Sequence, residues 1–81
     1  MMDSDIIPDA ELDCVGLYCP MPIAMTKEAI DKLAKGQILK IEADDPAAEE
    51  DIKRWAKRTG HRLIQFTKKE RLMTFYIQKV K

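Results

Sequence analysis

The chain has 81 residues, of which 46% are hydrophobic and 35% charged, and its formal net charge at pH 7 is zero. This length suffices for one small domain with a modest core, and it excludes a buried active site with several catalytic residues beside a substrate pocket. No apolar run approaches the roughly 20 residues that a membrane-spanning helix needs. The composition therefore predicts a soluble globular domain that does any chemistry with one exposed group and a partner protein.

The N-terminal segment is acidic and has no basic region followed by an apolar stretch, so we do not expect a signal peptide. We predict a flexible acidic tail at residues 1–8 and a single domain at residues 9–81. The expected location is cytoplasmic, where two cysteines indicate reactivity more than a structural disulfide.

Charge is distributed unevenly along the chain. Residues 1–52 contain 4 basic and 13 acidic side chains, whereas residues 53–81 contain 10 basic and 1 acidic. One interpretation is that the two halves intermix in space and partly neutralise each other. The other is that the domain presents a basic surface to an acidic partner or to RNA.

The predicted elements begin with a strand at Ala10–Cys14, where apolar and acidic side chains alternate. Gly16 starts a turn, and the helix predicted from Pro20 to Lys35 opens with a Pro-x-Pro that fixes φ. Gly36 follows as a stop signal. The predicted buried stripe of this helix is Ile23, Thr26, Ala29, Ile30 and Leu33.

The second half of the chain continues with a strand at Gln37–Ala43 and a helix that Asp45 can cap and Gly60 can end. The predicted buried stripe of that helix is Ala48, Ile52, Trp55, Ala56 and Thr59. Strands at His61–Thr67 and Leu72–Val80 close the chain. In them we expect inward faces at Ile64, Phe66, Met73, Phe75 and Ile77, and an outward face at Thr74, Tyr76 and Gln78.

The element order is therefore β-α-β-α-β-β. Because short β-α-β connections are right-handed, both amphipathic helices land on the same side of the sheet. The predicted fold class is α+β, a two-layer α/β sandwich with a four-stranded mixed sheet, two helices on one face and a polar open face.

Cys19 is the most distinctive residue, because a thiol is followed at once by Pro-x-Pro where a helix is predicted to begin. Unpaired N–H groups and the partial positive charge of a helix N-terminus favour a thiolate over a thiol. We therefore predict an exposed, reactive sulfur at Cys19. The alternative is an inert, partly buried turn residue.

Two stretches of the chain form a recognisable pattern: the run Leu12-Asp13-x-x-Gly16-Leu17-x-Cys19-Pro20-x-Pro22 and, after a helix and Gly36, the run Ala43-Asp44-Asp45-Pro46. Over about residues 10 to 80, this pattern resembles the TusA/SirA-like sulfur carriers. The resemblance implies that Cys19 accepts a sulfane sulfur as a persulfide, framed by Gly16, Pro20 and Pro22 at the helix start.

The same resemblance implies protein partners. A cysteine desulfurase or another sulfurtransferase would donate the sulfur, and a downstream protein would accept it, as in synthesis of 2-thiouridine in tRNA, sulfur oxidation or molybdenum cofactor enzymes. It implies no cofactor and no metal. It leaves open whether the protein is a non-catalytic carrier or a sulfurtransferase-type relay.

Several residues of the first helix lie outside its predicted buried stripe. Met21, Ala24 and Met25 could form a soft apolar rim that docks on partner enzymes, and Lys27 and Lys32 could steer acidic partner surfaces. Ordinary surface scatter is the alternative.

The remaining candidates have structural interpretations. Cys14 alternates inward with Leu12 and is expected in the core, although it could also be a second thiol that closes a disulfide with Cys19. Asp45 has an adequate role as a helix cap beside its possible acid–base role, and His61 is expected to be structural. A zinc site of Cys14, Cys19 and His61 would lack a fourth ligand and is not expected.

The competing function is a small RNA- or protein-binding regulatory module that uses the basic C-terminal half. Only Tyr76 is a clear outward aromatic for base stacking, and there is no Gly-rich phosphate loop. Direct nucleic-acid binding is therefore not expected.

Overall fold

The computed structural model describes residues 6–18 and 21–81. The element order is the predicted β-α-β-α-β-β. The bounds of the elements are β1 Ala10–Cys14, α1 Met21–Asp31, β2 Ile38–Ala43, α2 Pro46–Thr59, β3 Arg62–Lys69 and β4 Leu72–Gln78. Within the described residues, no helix combines the length and the apolar character needed to cross a membrane.

The four strands form one mixed sheet in the order β1-β2-β4-β3. β1 pairs with β2 in parallel, and β4 pairs with both β2 and β3 in antiparallel fashion. The β3–β4 hairpin therefore folds back so that β4 fills the place beside β2, which leaves β1 and β3 as the edge strands. The predicted mixed sheet is confirmed.

The core lies between the sheet and the two helices, because the inward residues of every strand and of both helices belong to one buried cluster. Both helices therefore cover the same face, as predicted. The completely buried side chains are Cys14, Thr26, Ile30, Leu39, Ile41, Ala43, Ile52, Phe75 and Ile77. The larger part of the two predicted helical stripes is thus buried.

Helix α1 ends earlier than the sequence suggests, at Asp31 instead of Lys35. The backbone N–H groups of Lys32 and Leu33 bond three residues back, which tightens the chain out of the α-helix. The Lys79 Nζ then donates to the carbonyls of Leu33 at 2.7 Å and Asp31 at 3.4 Å. The end of α1 is therefore set by a lysine 46 residues away from Leu33.

Strand β3 also differs from the prediction. It runs from Arg62 to Lys69, so only Glu70 and Arg71 form the hairpin turn. A bulge between Leu63 and Gln65 shifts the register, and Leu63 and Phe66 pack against the core. The expectation that Ile64 shares the inward face with Phe66 is wrong, because a bulge inserts one extra residue and reverses the alternation.

The open face of the sheet is polar, with one exception at its centre. Tyr76 belongs to this face by register, opposite Lys40 of β2 and Gln65 of β3. It is nevertheless buried, with 8% of its surface exposed. The prediction of an outward, stacking-competent Tyr76 is wrong, because long neighbouring side chains on a twisted sheet can cover a central aromatic ring.

Candidate functional site

The candidate site lies at one edge of the sheet, where the parallel strands β1 and β2 end. Their last paired residues are Cys14 and Ala43. Helix α1 begins seven positions after β1 and helix α2 three positions after β2. Both helix N-termini therefore emerge at the same edge, and this edge receives the partial positive charge of both helices.

A tight turn follows β1 at this edge. The Leu17 N–H donates to the Cys14 carbonyl at 3.1 Å, and Gly16 has a φ of 85°. Residues other than glycine rarely adopt that φ, which explains why glycine occupies this position. The Asp13 Oδ1 accepts from the Val15 N–H at 3.0 Å, so Asp13 also shapes the turn.

A second carboxylate holds the same turn from the neighbouring strand. The Asp44 Oδ1 accepts from the Gly16 N–H at 2.9 Å, across 28 residues of sequence. Asp45, next in the chain, is buried and caps α2, because its Oδ1 accepts from the Ala47 N–H at 3.1 Å. The two adjacent aspartates thus have different tasks, of which only the capping one is predictable from sequence.

The start of α1 is held by local bonds. The Met21 N–H donates to the Tyr18 carbonyl at 2.8 Å, and the buried Thr26 hydroxyl donates to the Pro22 carbonyl at 2.7 Å. The Pro22 side chain is itself buried, so it anchors the helix start in the core. The predicted Cys19 and Pro20 lie outside the described residues.

The residues that flank Cys19 in the chain present an exposed apolar rim. Val15, Tyr18 and Met21 are 47%, 67% and 46% exposed, respectively. Only Met21 was predicted for this role. The exposure of Val15 and Tyr18 could have been predicted from their position after β1, where large apolar side chains have no neighbouring strand to cover them.

The other predicted docking residues divide into two groups. Ala24, Lys27 and Lys32 are exposed. Met25 is half-buried and packs against the core, so less of its side chain than that of Met21 is open to a partner, and its docking role stays a prediction. Met21 is therefore the exposed methionine of α1.

Cys14 lies in the core, as the alternation along β1 predicts, with none of its surface exposed. Burial raises the pKa of its thiol, and the negative charge of Asp13 raises it further. Cys14 is therefore held as an uncharged thiol, which is a poor nucleophile.

His61 follows the left-handed Gly60 that ends α2. Its Nδ1 accepts from the Val80 N–H at 3.2 Å, and its ring lies 5.4 Å from that of Trp55. These contacts give His61 the structural role expected of it. Among the described residues, no group of three or more His, Cys, Asp or Glu side chains could hold a metal ion.

Comparisons with known proteins show the family to which this chain belongs. The chain matches the family model described as "Sulfurtransferase TusA" over residues 10–79. This chain belongs to the TusA family. The match spans all six elements completely, and it includes the edge where β1 and β2 end.

Individual TusA relatives match over most of their lengths. The chain is 45% identical to YrkI of Bacillus subtilis (strain 168) over 71 residues, which cover 88% of this chain and 95% of the relative. It is 37% identical to "Sulfur carrier protein TusA" of Pseudomonas putida (strain GB-1) over 76 residues, which cover 94% and 95%. The crystal structure of a SirA-like protein from Desulfitobacterium hafniense has the same fold, with a TM-score of 0.77 and 19% identity over 89% of this chain and 99% of that one.

Proposed function

We propose that this protein is a sulfur carrier that accepts a sulfane sulfur as a persulfide on Cys19 and passes it to a second protein. The observation that carries the proposal is the TusA match over residues 10–79, which includes Cys19. The alternative thiol is unsuited to the task, because Cys14 is buried and its pKa is raised by that burial.

The proposed transfer exchanges one sulfur–sulfur bond for another. The Cys19 thiolate attacks the outer sulfur of the donor's persulfide, and a new bond forms between the two sulfurs. The bond between the donor's inner and outer sulfurs breaks, and its electron pair leaves on the donor thiolate. The proton of the terminal sulfur stays with it or is lost to solvent. No external oxidant or reductant is consumed, because both sides of the exchange contain one thiolate and one persulfide.

The start of α1 supports an anionic sulfur at this position of the chain. Helix α1 begins two residues after Cys19, and it has no acidic residue in its first turn. A helix N-terminus stabilises negative charge on a nearby group, both on the thiolate before transfer and on the persulfide after it. Cys19 needs no cofactor for this chemistry.

We propose that the donor and the acceptor dock on the exposed rim of Val15, Tyr18 and Met21. A partner that reaches the sulfur of Cys19 must contact the residues on either side of it in the chain. Aromatic and methionine side chains adapt to several partner surfaces, which suits a carrier that binds two different proteins in turn. Lys27 is exposed on the same helix and Lys32 is exposed just after its end, and both would steer acidic partners.

The RNA-binding alternative has less support. The aromatic side chain on which it depends, Tyr76, has 8% of its surface exposed and offers no face to a base. We therefore propose that the partners are proteins, a cysteine desulfurase or another sulfurtransferase as donor and a sulfur-accepting protein as acceptor. We place the relay in the cytoplasm, because a reducing compartment keeps an exposed thiol out of permanent disulfides.

Intact mass spectrometry tests the proposal. The protein is incubated with a cysteine desulfurase and free cysteine, and we expect a mass gain of one sulfur atom that a reductant removes. Cys19→Ser should abolish the gain, whereas Cys14→Ala, which keeps a small apolar side chain in the core, should retain it. Equal loss in both variants, or a gain that survives Cys19→Ser, would contradict the assignment of Cys19.

A further inference from the structure

The bond between Asp44 and Gly16 is not needed to close the turn after β1. The turn is already closed by the Leu17 N–H on the Cys14 carbonyl and by Asp13 on the Val15 N–H. Both of those bonds lie within four consecutive residues or fewer. The Asp44 bond instead ties the turn to the residue that follows β2, and its two partners lie 28 residues apart in the chain.

The position of this bond matters because Gly16 lies three residues before Cys19 in the chain. A turn that pivots at Gly16 would carry Tyr18 and the following residues with it. A short hydrogen bond from a backbone N–H to a carboxylate is among the stronger hydrogen bonds in proteins, since the acceptor is charged. It restricts the backbone at Gly16, where the absence of a Cβ atom allows a φ of 85° and leaves the chain freer to rotate than at other residue types.

We propose that Asp44 is a positioning residue for the carrier thiol: its carboxylate holds the turn Cys14–Leu17 and thereby orients the chain that presents Cys19 to partner proteins. This inference rests on the proposed function of Cys19 as the sulfur acceptor. Asp44 does not touch the transferred sulfur; it acts through the Gly16 N–H. Removing the bond lets the turn sample orientations that do not fit a docked donor, and transfer slows because near-attack geometry is reached less often.

The negative charge of Asp44 would affect Cys19 in the opposite direction from its hydrogen bond, so the two effects can be separated by mutation. A carboxylate near a thiol disfavours the thiolate. If charge were the main effect, both Asp44→Ala and Asp44→Asn would speed the reactions of Cys19. If the bond is the main effect, Asp44→Ala slows sulfur transfer and Asp44→Asn does not, because the asparagine amide oxygen can still accept from the Gly16 N–H.

The chain offers a matched control at the opposite ends of strands β1 and β2. The Asp9 Oδ2 accepts from the Ile38 N–H at 2.8 Å, across 29 residues, so it is a bond of the same kind and nearly the same length. It joins the other ends of the same two strands, ten residues before Cys19. Asp9→Ala therefore measures the general cost of losing a carboxylate tether between β1 and β2.

The experiment compares wild type, Asp44→Ala, Asp44→Asn and Asp9→Ala by three measurements. These are amide hydrogen exchange at Gly16, the rate of sulfur loading from a cysteine desulfurase, and the rate of alkylation by iodoacetamide between about pH 6 and pH 9. Cys14 is buried, so alkylation of the folded protein reports on Cys19.

We expect Asp44→Ala alone to lose protection at Gly16, by about tenfold or more. Its sulfur loading should fall by about fivefold to tenfold, while Asp44→Asn and Asp9→Ala stay within about twofold of wild type. The proposal is overturned if Gly16 exchange is unchanged in Asp44→Ala, if loading is unchanged despite lost protection, or if Asp9→Ala slows loading as much.

Failure of the function itself gives a different result. If wild type takes up no sulfur on Cys19, the sulfur-carrier proposal is wrong, and with it the role of Asp44 in transfer. Gly16 exchange and the alkylation profile then still report whether Asp44 holds the turn. If wild type is loaded and Asp44→Ala is loaded equally fast, the function stands and the positioning role alone is wrong.

Discussion

The two helices of this protein are built in different ways. Helix α2 has its own signals at both ends: Asp45 caps its start, Pro46 occupies the first turn, and Gly60 ends it in the left-handed conformation. Its first turn contains an acidic residue and its last turn contains basic ones, which complements the helix dipole. Along its surface the Lys53 ammonium lies 2.8 Å from the Glu49 carboxylate, and this hydrogen bond lowers the pKa of Glu49.

Helix α1 has few such signals. It has no acidic residue in its first turn and no basic residue in its last. Its C-terminal carbonyls are satisfied by Lys79 from the far end of the chain, and its start depends on the Tyr18 carbonyl and a buried Pro22. The comparison shows that both ends of α2 have local signals, whereas the end of α1 depends on a distant lysine and its first turn has no acidic side chain to offset the positive end of the helix dipole.

Among the tests of this contrast, we expect the largest change in sulfur-transfer rate from an acidic residue introduced at the start of α1. Met21→Glu should slow sulfur transfer by about tenfold, because a like charge beside a thiol raises its pKa and a change of one unit is tenfold in thiolate at fixed pH. It also places a charge in the exposed apolar rim. The fold should persist, because an acidic residue is favourable in a first helical turn. Transfer rate and thermal unfolding are measured together.

The matched control is Ala47→Glu, which adds the same charge to the exposed first turn of α2. Its stability should resemble that of Met21→Glu, and its transfer rate should stay near wild type. If the two variants transferred sulfur equally well, the start of α1 would have no special role.

A smaller effect is expected where α2 has its own cap. Asp45→Ala removes the acceptor for the Ala47 N–H and should lower the free energy of unfolding by about 1 kcal/mol. Asp45→Asn should retain most of that stability, since asparagine is also a good N-cap. Urea denaturation measures both. An unchanged midpoint in Asp45→Ala would mean that α2 does not depend on its local cap.

The smallest expected effect is on the pH dependence of stability, through His61 at the C-terminal end of α2. Burial lowers the pKa of His61 below its ordinary value of 6.5, and the Lys79 and Lys81 ammonium groups lower it further, against an opposing pull from Asp31. The unfolded chain therefore binds this proton more readily than the folded one. The contribution of neutral His61 is complete above pH 6.5 and is lost as pH falls through the lower, folded-state pKa.

His61→Asn keeps an acceptor for the Val80 N–H but does not titrate in this range. Its free energy of unfolding should decline less than that of wild type when urea denaturation is repeated between about pH 8 and pH 5. Carboxylates that titrate in both proteins cancel in the difference. Parallel pH curves for the two proteins would show that His61 is not held neutral by the fold.

The candidate site could be predicted only in part. The turn at Gly16 and the cap at Asp45 follow from residue type and spacing, because each involves groups a few positions apart. The bond from Asp44 to Gly16 has no local signature, since its partners meet only when β1 and β2 pair in parallel. The exposure of Tyr18 and the partial burial of Met25 likewise depend on how α1 sits on the sheet.

The amino-acid sequence by itself determined the element order, the inward faces of β2 and β4, and both ends of α2, because hydrophobic periodicity and capping act over a few residues. Only the tertiary structure decided where α1 ends, that β3 has a bulge, that Tyr76 is covered, and that Asp44 holds the turn before Cys19. Each of these depends on groups that are distant in the chain and become neighbours only when the sheet forms, so no local pattern encodes them.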